Sequence, residues 1–315
     1  MKLLRIGTRG SPLALWQARS VADALANACG PSCELVTIKT SGDRLSGAVL
    51  SEVGGKAAFV KEIEHALLSE EIDVAVHSAK DLPAELPEGL GICAVLQRED
   101  PRDVLALPAS HVVTSTDDTC ALVRSLSPEP RIGTGSVRRA AQLAIQFPTA
   151  RFEQIRGNVG TRLRKLDAGE YDLLVLAAAG LIRLGLANRI SERLSFDECL
   201  PAPGQGIVAI ETRTSDQETA GALSAVNDRS AMAALEAERA LLGALGGDCH
   251  VPIGGVATPD GHQITLRAVV ASIDGSRVLH EQQHGPATDA SQLGRRVGDA
   301  LIMAGAADII AEHRV

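Results

Sequence analysis

Aromatic residues are almost missing from this chain: one Trp, one Tyr and four Phe among 315 residues, 2% of the total. Base-stacking platforms for single-stranded nucleic acid need several exposed rings, so that class of function is excluded. A basic excess is missing as well. Lys and Arg number 31 against 39 Asp and Glu, a formal net charge of −8, where a general nucleic-acid binder carries the opposite sign. The longest apolar run, Leu173 to Ile182, is far too short to cross a bilayer, and no membrane association is expected. The opening residues reach Arg9 without the apolar core of a signal peptide, so the expected location is the cytoplasm. Six scattered cysteines (29, 33, 93, 120, 199 and 249) form no CxxC pair and no zinc-ligand spacing. They read as reduced thiols, and no metal is expected.

What remains is a chain rich in Ala, Leu, Val and Ile, which suits helices laid on sheets, and long enough for two or three domains. Strand-like runs at Leu3–Ile6, Glu34–Lys39, Ile72–Val76 and Gly91–Leu96 alternate with helical ones, implying parallel βαβ units. Ser11 as N-cap with Pro12 at the first helical position opens a helix to about Ala28. Thr40 to Ala58 is a long Gly- and Ser-rich loop. Pro101 to Pro130 changes texture, as at a domain junction. The alternation then restarts at Arg131–Gly133, with helices over Ser136–Gln146, Val159–Ala168 and Ala179–Leu184 between strands Arg151–Ile155 and Asp172–Ala177. Pro201–Gly206 marks a second junction, before the strand Ile207–Ile210. Past Asp228, an Ala-rich helix, strands joined by Asp-Gly turns and a last helix read as a small α+β domain.

Two segments echo each other. Arg5-Ile6-Gly7-Thr8-Arg9-Gly10-Ser11 and Arg131-Ile132-Gly133-Thr134-Gly135-Ser136 both run from a strand end into a helix start, where backbone N–H groups and hydroxyls favour anions. Two such units suit two similar domains facing one cleft.

Charge is concentrated between Arg131 and Lys165. Eight basic residues (131, 138, 139, 151, 156, 162, 164 and 165) stand against one acid, Glu153, a local +7 in an acidic protein. The bland alternative is a solvated helix face. Against it, Arg138 and Arg139 fall in the first turn of a helix, where the dipole disfavours a cation unless an anion lies beyond. Nearly all of the eight are Arg, the residue for bidentate grip on carboxylates or phosphates. The stretch is therefore expected to line the cleft and meet a small ligand with several carboxylates.

Two further motifs carry chemistry. His77-Ser78-Ala79-Lys80-Asp81 follows a buried strand and sets a Lys and a carboxylate where α/β folds place ligands, though a surface Lys–Asp turn reads equally well. Gly246-Gly247-Asp248-Cys249-His250-Val251-Pro252-Ile253-Gly254 presents a thiol on a glycine-flanked loop, where most cysteines are buried filler.

Taken in order, eight segments resemble the porphobilinogen deaminase (hydroxymethylbilane synthase) family over essentially the whole chain. They are Thr8-Arg9-x-Ser11-Pro12-Leu13-Ala14-Leu15-Trp16-Gln17, Val53-Gly54-Gly55-Lys56, His77-Ser78-x-Lys80-Asp81 and Arg98-Glu99-Asp100-Pro101-Arg102-Asp103. Ser136-x-Arg138-Arg139, Arg156-Gly157-Asn158-Val159-Gly160-Thr161-Arg162, Gly204-Gln205-Gly206 and Cys249-x-Val251-Pro252-Ile253-Gly254 complete the set.

The resemblance implies two α/β domains like the lobes of periplasmic binding proteins around a cleft, plus a small C-terminal α+β domain. Its boundaries fall at 1–103 with 203–224, then 104–202, then 225–315. It implies condensation of four porphobilinogens, with loss of ammonia, onto a dipyrromethane cofactor attached by a thioether to Cys249. Asp81 would be the catalytic carboxylate. Lys80, Asp81, Thr134, Ser136, Arg138, Arg139 and Arg156 would hold the cofactor. Arg9, Ser11, Arg156, Arg162, Arg183, Gln205 and Phe59 would meet substrate. Nothing demands more than a monomer. Departures from the family pattern are Glu52 for a usual Lys, Ala57-Ala58 for Gly-Leu, Gly135 for Ser and Asp248 for Gly. Two other readings compete: a non-catalytic two-lobed anion binder, and a cysteine hydrolase built on Cys249 and a histidine.

Overall fold

In a computed structural model of the chain, residues 3–40, 60–111, 119–246 and 251–312 are described. The first lobe is built on a five-stranded sheet in the order β2-β1-β3-β10-β4. Its strands are β1 (Leu4–Thr8), β2 (Cys33–Thr37), β3 (Val74–Ser78), β4 (Leu90–Val95) and β10 (Val208–Arg213). β1 runs parallel to β2 and β3, as the alternation predicts, but β10 lies antiparallel to both β3 and β4.

The second lobe repeats this plan as β7-β6-β8-β5-β9. It uses β5 (Asp103–Ala106), β6 (Arg131–Gly133), β7 (Arg151–Glu153), β8 (Leu173–Ala177) and β9 (Glu192–Arg193). β6 is parallel to β7 and β8, while β5 is antiparallel to β8 and β9. In each sheet the reversed strand is the one that has just arrived from the other lobe. Sequence alternation does not reveal that reversal, and β5 itself hides inside the junction stretch.

The echo is structural. Arg5 donates from its backbone N, Nε and Nη2 to Asp73, and from Nη2 to the carbonyl of Glu70. Arg131 makes the same set with Asp172 and the carbonyl of Gly169. Each arginine clamps the start of its first strand to the start of the third. Past each strand comes a capped helix. Ser11 Oγ accepts from the N–H of Ala14 at the head of α1 (Pro12–Asn27), and Ser136 Oγ from that of Arg139 at the head of α4 (Val137–Gln146). α2 (Lys61–Leu68) packs in the first lobe and α3 (Thr119–Leu126) in the second, the latter within the stretch expected to be a junction. Apolar side chains such as Leu4, Ile6, Val74 and Val208 in one lobe, and Leu105, Ile132, Leu173 and Val175 in the other, are fully buried between sheet and helices.

The second lobe also holds α5 (Val159–Asp167) and α6 (Ala178–Arg183), and α7 (Gln217–Leu223) follows the return to the first. The third unit is a three-stranded meander, β11 (Ile253–Asp260), β12 (Gln263–Ala271) and β13 (Val278–Pro286), covered by α8 (Arg229–Ala244) and α9 (Ala290–Met303), with α10 (Ala306–Glu312) closing the chain. α9 lies close on α8 because Gly294 has no side chain: a Cβ there would sit 2.2 Å from the carbonyl oxygen of Ala237. None of the helices among the described residues is long and apolar enough to cross a membrane.

Candidate active site

The chain crosses between the lobes twice, at Arg98–Arg102 and again before β10, and the site is assembled at those crossings. Asp81 ends a single 3-10 turn, Ala79–Asp81, that follows β3. The turn is seated by Gly204, whose φ of +77° favours glycine and whose Cβ, if present, would lie 2.9 Å from the backbone of Ala79 and Lys80. Gly206 approaches closer still, within 2.3 Å of the Glu99 carbonyl oxygen by the same construction. The Gly204-Gln205-Gly206 motif thus lets one crossing pass directly over the other and over the turn that carries Asp81.

Gln205, 1% exposed, uses this contact. Its Oε1 accepts from Lys80 Nζ at 3.1 Å, and its Nε2 donates to the Pro101 carbonyl at 2.7 Å and to Asp103 Oδ1 at 2.8 Å. Asp103 is fully buried and accepts from Arg138 Nη1 at 2.7 Å and from Arg139 Nε and Nη2 at 3.0 and 2.7 Å. Burial alone would raise the Asp103 carboxyl, but the two guanidiniums outweigh it and hold it well below the ordinary range. The anion demanded by two arginines in the first turn of α4 is therefore supplied by the protein. Asp103 ends the Arg98–Asp103 motif, whose local sequence carries no sign of this role.

Arg138 also donates from Nη1 to the Leu200 carbonyl, 2.6 Å away, while its Nε is buried without a partner. Arg139 spends its third nitrogen on the Val175 carbonyl. Arg162, on α5, donates from Nε to the Gly157 carbonyl. Burial and then the Arg139 charge bring it down to about 10, with the Asp81 charge opposing, so it stays charged at neutral pH and lies close enough to feel both. Arg183 ends α6, donates to the Gly206 carbonyl at 2.6 Å and lies 5.5 Å from the centre of the Trp16 ring. Both line a cavity of about 250 Å3 with Arg98 and Glu99. Thr134 is buried and its Oγ1 accepts from the N–H of Ser136. Arg9, Ser11 and Arg156 are half-buried on the strand-to-helix loops. Cys249, its neighbours Asp248 and His250, Phe59, Glu52 and the Val53–Lys56 motif lie outside the described residues.

The basic stretch divides. Arg131 and Arg151 are taken up by Asp172 and Glu129, and Arg164 is exposed, whereas Arg138, Arg139 and Arg162 turn inward. The expectation that the whole +7 run lines the cleft is corrected: part of it clamps strands and solvates the outside. Nor do all the acids face solvent, since Asp73, Asp103, Glu211 and Glu238 are fully buried. Glu238 of α8 accepts from both Nη atoms of Arg98, from the N–H of Gly204 at 2.5 Å and from that of Ala257 at 2.7 Å, joining the third unit to the crossing. That contact has no local sequence signature, because its partners stand 140 residues apart.

Two lobes of one sheet topology, joined by two crossings where Gln205 links Lys80 to Asp103 and its arginines, define a two-lobed α/β protein. The chain belongs to the porphobilinogen deaminase family. Residues 4–221 match the family description "Porphobilinogen deaminase, dipyromethane cofactor binding domain", and residues 232–303 match "Porphobilinogen deaminase, C-terminal domain". Curated porphobilinogen deaminases from two strains of Acidithiobacillus ferrooxidans are each 47% identical over 312 residues, 99% of this chain and 98% of theirs. It is a transferase of tetrapyrrole biosynthesis that acts on porphobilinogen and carries a dipyrromethane-binding domain. Among solved structures, a periplasmic domain of Bordetella pertussis BvgS matches at 15% identity and a TM-score of 0.40, over 71% of this chain and 86% of that one. An ancestral cationic amino-acid solute-binding protein matches at 14% identity and 0.40, over 70% and 86%.

Proposed function

We propose that this chain condenses four porphobilinogens head to tail onto a dipyrromethane primer, held by a thioether to Cys249, and releases hydroxymethylbilane by hydrolysis. In this reading residues 1–103 with 203–224 form the Asp81 side of the cleft, 104–202 the arginine side, and 225–315 the unit that carries the cysteine. The protein works as a monomer in the cytoplasm.

The observation that carries the reading is the buried Arg138–Arg139 pair joined through Asp103 and Gln205 to Lys80, the residue before Asp81, with Arg162 close enough to feel both Arg139 and Asp81. The donor set fits a primer bearing several carboxylates. Arg138 keeps a buried Nε without a partner, and its Nη2 makes no hydrogen bond among the described residues, so the Nε–Nη2 edge matches a carboxylate's two oxygens. Lys80, Thr134, Ser136, Arg139 and Arg156 complete the hold on the primer. Arg9, Ser11, Arg156, Arg162, Arg183, Gln205 and Phe59 meet the incoming substrate. When bound, the primer would supply the electron-rich pyrrole carbon that accepts the first unit. Asp81 stabilises the positive charge that develops on porphobilinogen as ammonia departs. It also moves protons at the leaving amine and at the attacking ring. The guanidiniums hold acetate and propionate side chains, so few aromatic rings are needed.

Intact-mass measurement tests the reading. Purified protein should exceed its sequence mass by two pyrrole units, and Cys249→Ser should abolish the excess. An unmodified mass in protein from cells with normal porphobilinogen supply would sink it.

A further inference from the structure

We infer that Asp103 is a positioning residue: its buried carboxylate sets how Arg138 and Arg139 meet the primer and ties that pair to Lys80 on the facing lobe. The inference rests on the primer reading above. Asp103 is the first residue of β5, where the chain enters the second lobe, and it is fully buried. Oδ1 accepts three N–H groups, two from Arg139 and one from Gln205. Oδ2 accepts one from Arg138 at 2.7 Å and faces the Cys199 thiol at 3.5 Å. Burial, then the Asp103 charge, pushes that thiol up to about 12, so it stays neutral and brings no competing anion.

Both carboxylate oxygens are thus occupied, and Asp103 has no capacity for substrate or for a proton in transit. It acts only through the groups it holds. By taking Arg138 at Nη1, together with the Leu200 carbonyl, it leaves the Nε–Nη2 edge as the one free for a ligand. By taking Arg139 on Nε and Nη2, with the Val175 carbonyl on Nη1, it fixes that guanidinium on all three nitrogens. Through Gln205 the same carboxylate reaches Lys80, one residue from Asp81. A single carboxylate on the crossing strand therefore sets the register between the two walls of the cleft. Neutralising two guanidiniums requires only a charge nearby; orienting them requires a carboxylate at this distance.

The test uses apoprotein from cells that make no porphobilinogen, incubated with porphobilinogen and followed by intact mass. Asp103→Asn removes the charge and keeps the size; Asp103→Glu keeps the charge and moves it by one methylene. Circular dichroism and urea midpoints report folding. Native protein should gain two pyrrole units, and both variants, once folded, should gain them about a hundredfold more slowly. Loading of either folded variant at the native rate would overturn the inference, and normal loading of Asp103→Glu would show that charge alone suffices. If Asp103→Asn unfolds, Asp103→Glu decides. If both unfold, Asp103 is a folding determinant and the assignment falls. Native protein that gains no mass would overturn the primer reading itself, and this inference with it.

Discussion

Asp81 and Asp103 are both aspartates at a strand boundary of the same cleft, and their surroundings divide their work. Asp81 is half-buried on a turn, near Arg162, with its neighbour Lys80 engaged elsewhere. Asp81→Asn should keep the fold and the two-pyrrole mass excess but lower kcat by about 10²- to 10⁴-fold, the usual share of a positioned proton-transfer group; steady-state kinetics with intact mass checks both halves. Asp103 is sealed among cations. Its carboxyl lies below the ordinary value of 3.8 in the folded protein, so the folded state binds fewer protons than the unfolded chain. Its stabilising effect is present above that ordinary value and is lost as pH falls below it toward the depressed folded value. Urea unfolding at neutral pH and near pH 3 should show a steep acid loss in the native protein and a shallower one in Asp103→Asn. The Lys-Asp turn and the arginines were legible in the sequence as residue types; Asp103 was not, because an aspartate reveals its partners only when they are folded around it.

At the scale of elements, local chemistry was read well. Ser11 caps the helix it was expected to cap, Ser136, expected as the first residue of its helix, caps it instead, and the bounds of α1, α4 and α5 fall within two residues of the expected ones. Ser136→Ala should cost about 1 kcal/mol of stability by removing an N-cap, measurable by urea denaturation. Gly204→Ala carries a larger effect on function. Its Cβ would press on the backbone of Ala79 and Lys80 from a left-handed conformation, so the Asp81 turn must shift. Slower turnover with the primer mass retained is the expected outcome. β10 answers to the strand expected over Ile207–Ile210, but its reversal was not expected, and β5 was not expected at all. A strand's direction is set by where the preceding segment enters the sheet, and both arrive from the opposite lobe.

For the whole molecule, the decisive contacts are the ones that join units. Glu238 holds Arg98, Gly204 and Ala257 at once, so Glu238→Ala should leave Arg98 uncompensated and lower stability by about 3–5 kcal/mol in urea unfolding. Arg183 plays a similar part between α6 and the crossing, with the lone Trp16 beside it. The acidic average conceals a different distribution inside: fully buried acids hold the crossings and strand starts, and only some of the basic run turns to the cleft.

The sequence by itself determined the α/β alternation, the capped helix starts, the repeat of the first strand-to-helix unit and the family. These follow from periodicity, capping chemistry and motif order, all of which act over a few residues. Only the tertiary structure decided which arginines face the cleft, which acids neutralise them, and how Asp103, Gln205 and Lys80 join across the two crossings. Those outcomes depend on charges distant in sequence being buried side by side, where a guanidinium is held only if a carboxylate is folded against it.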